Sequence, residues 1–450
     1  MAGRWQADVL LRVGADGCWQ ELQAGVAAPD AATRLSGPVL PGLVDAHSHA
    51  FQRAFAGLAE RRDSATDDFW SWRDRMYGVA LRITPEQLRA IAAQLYLELL
   101  QGGYTQVCEF HYLQHQPDGS AYADELALSW ALADAAAQVG QGLTLLPVLY
   151  AHAGLKAPAL RDDQRRFASD AAWVWHASQR INAAKRPLLN AGVALHSLRA
   201  AHQADIAALQ ALVGAADLPI HIHISEQQQE VDDCLLATGQ RPMQWLCSQF
   251  AIDARWQLVH ATQSTPAEIE QVRQSGAGIV ICPGTEANLG DGLSDLPGWL
   301  SAKVPLSLGS DSQVTRGWIE ELRWLEYGQR LKHQQRNVAA APDSQPSSAA
   351  RLFEACRQGS AAPAGFKQWG LEIGARADFL VLDTSCSGLP GVPQASLLDA
   401  LVFASQGDAI RDVFVAGAQV IRAGVHAQQQ SIGEAFEWAM GELWGQADGD

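Results

Sequence analysis

Two histidines, His47 and His49, stand two apart in LPGLVDAHSHAFQRAF (40–55), directly after an apolar run. In an extended strand such residues project from one face, so both imidazoles converge on a point at the strand's end. Polar residues close other apolar runs in the same way: Glu109 and Tyr112 in YTQVCEFHY (104–112), His196 in NAGVALHS (190–197) with Arg199 just beyond, and His221, His223 and Glu226 in PIHIHISE (219–226). His260 lies in WQLVHATQ (256–263) and Asp311 in VPLSLGSDS (304–312). A lone buried histidine usually satisfies only a backbone group, and an HxH pair alone is weak evidence. Five strand ends carrying His or Asp need another account, because apolar strands otherwise exclude such groups.

Three imidazoles and one carboxylate suit Zn²⁺ or a similar divalent ion with one position open for water, which then titrates near neutral pH and becomes a nucleophile. Periodicity alone leaves both His221 and His223 facing that ion. His223 is nearer the strand's C-terminal end and has the HxxE spacing to Glu226, which could swing over the water as a proton shuttle; His221 then lies deeper, as a packing or supporting residue. A two-metal site usually needs an extra bridging ligand such as a modified lysine. Lys156, Lys185, Lys303, Lys332 and Lys367 are all the lysines present, and none ends the fourth apolar run, so one ion per chain is expected.

The elements that must hold these residues follow from the pattern between them. Eight short, nearly continuous apolar runs begin at VLPGLVDAHSH (39–49) and end at VPLSLGSDS (304–312). They alternate with amphipathic segments such as TPEQLRAIAAQLYLELLQGG (84–103) and STPAEIEQVRQSG (264–276), each opening with a Thr cap and a Pro and closing on Gly. Buried parallel strands alternating with helices, eight times over, predict a (β/α)8 TIM-type barrel, whose active site lies at the C-terminal strand ends. The barrel is expected over 39–374. A small β-sandwich-like domain is expected from both chain ends, 1–38 with 375–425, and a C-terminal helix and tail over 426–450, from IGEAFEWAMGELW (432–444).

Composition narrows the function. A net charge of −16 argues against nucleic acid or an anionic membrane as partner, so any bound anion needs a local cluster of cations. The N-terminal apolar run is too short and too interrupted by charge for a signal segment or a membrane span, which makes the cytoplasm the expected location. Seven cysteines without a CxxC suit reduced thiols.

As a set, His47, His49, His223, His260 and Asp311 resemble the amidohydrolase superfamily pattern of HxH on strand 1, His on strands 5 and 6 and Asp on strand 8. The branch resembled is that of the mononuclear deaminases. The stretches HSHAFQRAFAG, FWSWRDRMY, EFHYL, HSLR, HIHISEQ, CPGTEANLGDG and GSDSQ are further similar to the members of that branch that remove ammonia from a linear amidine of a dicarboxylic amino acid. The resemblance implies Zn²⁺, one per chain, or Fe²⁺ or another divalent ion, held by His47, His49, His223 and Asp311. It implies proton transfer by Glu226, His260 and Asp311, a substrate pocket lined by Gln52, Arg73, Tyr112, His196 and Arg199, and a homodimer. Independently of it, two arginines beside a metal in so acidic a chain suit the carboxylates of a small dicarboxylate, since guanidinium pairs with them bidentately. The competing expectations are an aminohydrolase for a purine, pyrimidine or guanidino compound, and a catalytically dead barrel used for binding, which would be expected to have lost ligands.

Overall fold

The computed structural model describes residues 5–62 and 68–445. Among these, eight parallel strands close into a barrel: Leu43–Ser48, Tyr104–His111, Gly142–Leu149, a fourth in two pieces (Leu189–Ala191 and Val193–Leu195), Ile220–Ile224, Trp256–His260, Gly278–Ile281 and Leu306–Leu308. The eighth pairs with the first at Leu308 and Asp45, which completes the ring. Each sequence run named above supplies one strand. The fourth breaks at Gly192, where a side chain's first carbon would lie 2.5 Å from the Pro219 carbonyl oxygen; the two strands meet there too closely for any other residue.

The helices outside the barrel form where their end signals stand. Pro85–Gln101 begins at Thr84, whose hydroxyl accepts from the Gln87 amide while the Gln87 side chain accepts from the Thr84 amide. Pro266–Ser275 repeats this reciprocal cap with Thr265 and Glu268 and stops at Gly276, whose φ of 77° suits glycine. The wall's apolar faces pack on the barrel in one continuous core. The N-terminal mouth is plugged by a short turn, Ala362–Ala364, whose Pro363 carbonyl accepts from the Cys108 thiol and lies 3.0 Å from Nε2 of His221. His221 is therefore a structural residue on the floor, as the spacing argument expected.

The chain ends meet in a five-stranded antiparallel sheet, ordered Val425–His426, Ala418–Arg422, Ile410–Val415, Phe379–Leu382 and Val39–Pro41. A hairpin, Leu10–Val13 with Trp19–Gln23, packs on it through Trp19 against Phe379, which in turn stacks on Phe414 at 4.2 Å. The expected boundary between residues 38 and 39 needs correction. Val39–Pro41 belongs to the small sheet, and the chain changes sheets at Gly42, where a side chain would collide with Thr105. The run VLPGLV hides that corner because both sheets want apolar residues. The sheet also extends to His426, one residue into the expected C-terminal segment, and the terminal helix is Gln429–Trp444. The ends of the outer expected segments, residues 1–4 and 446–450, lie outside the described residues.

Candidate active site

The polar residues of the first, fifth, sixth and eighth strands meet at the C-terminal mouth, all buried. Nε2 of His47 lies 2.9 Å from Nε2 of His223, and Nε2 of His47 and of His49 each lie 3.4 Å from Oδ1 of Asp311. Nδ1 of His49 faces the Phe110 carbonyl at 2.9 Å, and Nδ1 of His223 faces the His196 carbonyl at 2.9 Å. A carbonyl only accepts, so both Nδ1 atoms carry the proton and both Nε2 atoms present lone pairs to the same point. Burial also pushes His47 down to about 3 and lowers His49 and His223, keeping the rings neutral. The Nε2 lone pairs of His49 and His223, crowded with His47 against a carboxylate, fit a divalent cation.

The first and eighth strands lock this geometry. The His49 amide donates to the Asp311 carbonyl at 3.2 Å and the Asp311 amide to the His47 carbonyl at 2.9 Å. Glu109, on the second strand, accepts from the Ser48 hydroxyl at 2.8 Å and the Ala50 amide at 2.6 Å, so it pins the backbone on both sides of His49. Glu109 is thus a support and not a ligand. Two residues of the cluster have left-handed backbones, His260 at φ 71° and Asp311 at φ 51°. Such conformations cost roughly 1–3 kcal/mol each in a non-glycine residue and persist only where surrounding contacts fix them.

His260 lies between carboxylates. Its Nε2 is 3.7 Å from Glu226 and 3.8 Å from Asp311, while Nδ1 is 3.4 Å from Glu286. Burial opposes a charged ring, but Glu226, Glu286 and Asp311 together favour the imidazolium; burial pushes the Glu226 carboxyl up, against the pull of His260 and Arg199. The two form an ion pair at the edge of the site, at a separation longer than a hydrogen bond.

Above the cluster opens a cleft of about 300 Å³. Gln52, Arg73, Tyr112, His196 and Arg199 all line it, together with His49, His223, Glu226, His260 and Asp311. The Gln52 amide donates to the Tyr112 hydroxyl at 3.3 Å. Arg73 belongs to a helix, Phe69–Ala80, started by Asp68, whose side chain accepts from the amides of Trp70 and Ser71. Nε of Arg73 and Nη1 of Arg199 are buried and find no hydrogen-bond partner among the described residues. Among the described residues Arg73 pairs with Asp74 at 3.3 Å, and Arg199 lies 3.8 Å from Glu230.

Sequence reasoning did not single out Glu286, which orients His260, or Glu230, which accepts from the amides of Ser225 and Glu226. Their signal was present as carboxylates on segments that follow apolar strands, but each sits on a helix where a charged residue is unremarkable. Tyr77, Tyr150 and Gln164, linked by hydrogen bonds of 3.1 and 3.0 Å, also line the cleft; Tyr150 directly follows the third strand, whereas Tyr77 and Gln164 sit on helical turns away from any strand end.

Residues 39–420 match the sequence model of the Amidohydrolase family. The chain belongs to the amidohydrolase family. This amidohydrolase is 46% identical over 443 residues to formimidoylglutamate deiminase of Pseudomonas aeruginosa, spanning 98% of this chain and 96% of that protein. It is 26% identical over 386 residues to a 5-methylthioadenosine/S-adenosylhomocysteine deaminase of Natronomonas pharaonis, spanning 85% of this chain and 81% of that protein. Among solved structures, an amidohydrolase from Brucella melitensis superposes with a TM-score of 0.92 at 40% identity, covering 98% of this chain and 96% of the other. A zinc-bound adenosine deaminase from Xanthomonas campestris shares the amidohydrolase's fold, with a TM-score of 0.77 at 22% identity over 97% of this chain and 94% of that one.

Proposed function

We propose that the chain hydrolyses N-formimidoyl-L-glutamate to N-formyl-L-glutamate and ammonia, a step of histidine degradation. The observation that carries this reading is the pair of half-buried guanidiniums, Arg73 and Arg199, each with a buried open donor in the cleft above the His–Asp cluster. A buried cation without a full set of partners is costly unless a ligand supplies them, and two such cations suit two carboxylates. The relative from P. aeruginosa, 46% identical, bears the matching activity in its name.

His47, His49, His223 and Asp311 would hold one divalent ion per chain, Zn²⁺ in the first instance with Fe²⁺ or another ion as alternatives. When bound, the ion supplies a Lewis acid that lowers the pKa of water into the neutral range. Arg73 and Arg199 bind the carboxylates and so place the formimidoyl carbon at the cluster, beside Gln52, Tyr112 and His196. As water adds to that carbon, Glu226 takes its proton and passes it to the imino nitrogen, which becomes an amine. His260, held by Glu286, donates from Nε2 to the oxygen as charge develops there. The hydroxyl formed on that carbon then gives up its proton, which Asp311 helps pass to the amine nitrogen; the C–N bond to that nitrogen breaks, ammonia leaves, and the oxygen remains as the formyl carbonyl.

None of the helices among the described residues is long and apolar enough to cross a membrane. A cytoplasmic homodimer is the setting this reading implies. Ammonia release across a panel of imino, amino and guanidino acids and of nucleobases tests it. N-formimidoyl-L-glutamate should be preferred; preference for a neutral purine or pyrimidine, or for a guanidino acid, would replace this reading with that of another aminohydrolase.

A further inference from the structure

Six side chains form one alternating stack along a wall of the cleft. The Arg199 guanidinium lies 6.0 Å from the Phe69 ring and 5.5 Å from the Trp70 ring. The Arg73 guanidinium lies 4.6 Å from Trp70 and 5.5 Å from Tyr77, and that of Arg161 lies 5.9 Å from Tyr77. Side-chain exposure rises along the stack, 14% for Arg199, 18% for Arg73 and 42% for Arg161, which orders it from the floor to the mouth. The outermost cation is already taken: Asp163 accepts from Nε and Nη2 of Arg161 at 2.9 and 2.8 Å. The two inner cations keep open donors, and the one ring in contact with both is Trp70.

Two guanidiniums in a partly dry cleft repel each other and, on long side chains, would spread to varied separations. An aromatic face offsets part of that repulsion through its quadrupole and offers each cation a defined seat. Trp70 is suited to this role because its own backbone is fixed: its amide donates to Asp68 at 3.0 Å in the first turn of the helix Phe69–Ala80. A ligand with two carboxylates at a given separation gains most from cations held at a matching one, since it then bears no cost of ordering them.

We propose that Trp70 is a positioning residue that sets the length of dicarboxylate this cleft accepts, by fixing the spacing of the Arg73 and Arg199 guanidiniums. The inference rests on the dicarboxylate reading of the same cleft and adds to it a determinant of chain length.

The test compares the full-length, metal-loaded protein with Trp70→Leu and Trp70→Phe. Two readouts are taken: kcat and KM for N-formimidoyl-L-glutamate and N-formimidoyl-L-aspartate, and calorimetric Kd for succinate, glutarate and adipate. The parent should favour one length by about tenfold or more, and Trp70→Leu should compress that ratio to roughly threefold or less, with KM rising more than kcat falls. Trp70→Phe should fall between, and metal content should not change. A general loss of stability would lower all lengths together and leave the ratio intact. A parent-like ratio in Trp70→Leu, or in Trp70→Phe should the leucine variant not fold, overturns the proposal, as does a parent without a length preference. A parent that releases no ammonia from either imino acid defeats the functional reading alone, because the dicarboxylate series still decides whether Trp70 sets length.

Discussion

Replacing Arg199 with Met removes one of the two cations while keeping much of the side-chain volume. Arg199 has 14% of its side chain exposed, and its open Nη1 is the donor offered to a ligand. Two unit charges 4 Å apart at an effective dielectric near 20 attract by about 4 kcal/mol. The neighbouring Arg73 and residual water reduce what is lost to about 2–3.5 kcal/mol, or roughly 30- to 400-fold in kcat/KM. Glu230 loses the cation 3.8 Å away but keeps the Ser225 and Glu226 amides at 3.1 and 3.2 Å, so the strand end should hold. Arg199 also draws the Glu226 carboxyl down. Without it that carboxyl titrates higher, and because the base must be ionised, the acid limb of the kcat/KM profile should move to higher pH. The assay is ammonia release from N-formimidoyl-L-glutamate and its two monoamides. Whichever amide removes the carboxylate that Arg199 binds should be a poor substrate for the parent yet lose little more in the variant, which is a coupling that general destabilisation does not mimic. Activity within about threefold of the parent, or equal losses on all three substrates, would refute the reasoning.

Glu226→Gln keeps size and removes the base, so kcat should fall by roughly 10²–10⁴ with metal content unchanged; near-normal turnover would exclude Glu226 as the proton carrier. Elemental analysis should find about one divalent ion per chain, with activity lost on chelation and restored by adding back Zn²⁺; two ions, both required, would defeat the single-ion site. Burial pushes the Glu98 carboxyl up, but Arg53 and Arg316, at 2.7 and 2.9 Å, outweigh it and hold it below its ordinary value of 4.5. A depressed carboxyl stabilises the fold above that value and loses the contribution as pH falls. Thermal unfolding of Glu98→Gln should therefore lie below the parent's at pH 7 and converge with it in acid, whereas a constant gap would show that charge is not the cause.

The barrel was legible because its strands are nearly pure apolar runs whose polar exceptions cluster at one end. Period two set His47 and His49 on one face, and in the structure their Nε2 atoms meet Asp311 at equal distance. What the sequence hid was local geometry that similar residues permit in more than one form. Gly42 turns the chain between two sheets inside one apolar run, and the helix carrying Arg73 lacks a strong apolar stripe, with five of its twelve residues Trp, Tyr or Arg apart from Phe69. Glu286 and Glu230 act on His260 and on the Ser225 and Glu226 amides, so no spacing rule between ligands points to them.

The corner at Gly42 also has a bearing on how the protein is made. Val39–Pro41 finds its partner in Phe379–Leu382, about 340 residues later, and Trp444 at the far end donates to the Ala54 carbonyl at 3.0 Å, just past His47 and His49. At roughly 5–20 residues per second, a ribosome takes about 20–70 s to span the first of those gaps. Throughout that interval Val39–Pro41, which leads directly into the first barrel strand, lacks its sheet partner and leaves an unpaired edge open to other chains. The entry to the barrel is thus emitted early and secured late. Chains released before Phe379 should collect in the insoluble fraction, and metal should be captured only after the C-terminal sheet has been synthesised. Pulse-labelled nascent chains of graded length would show whether that order holds.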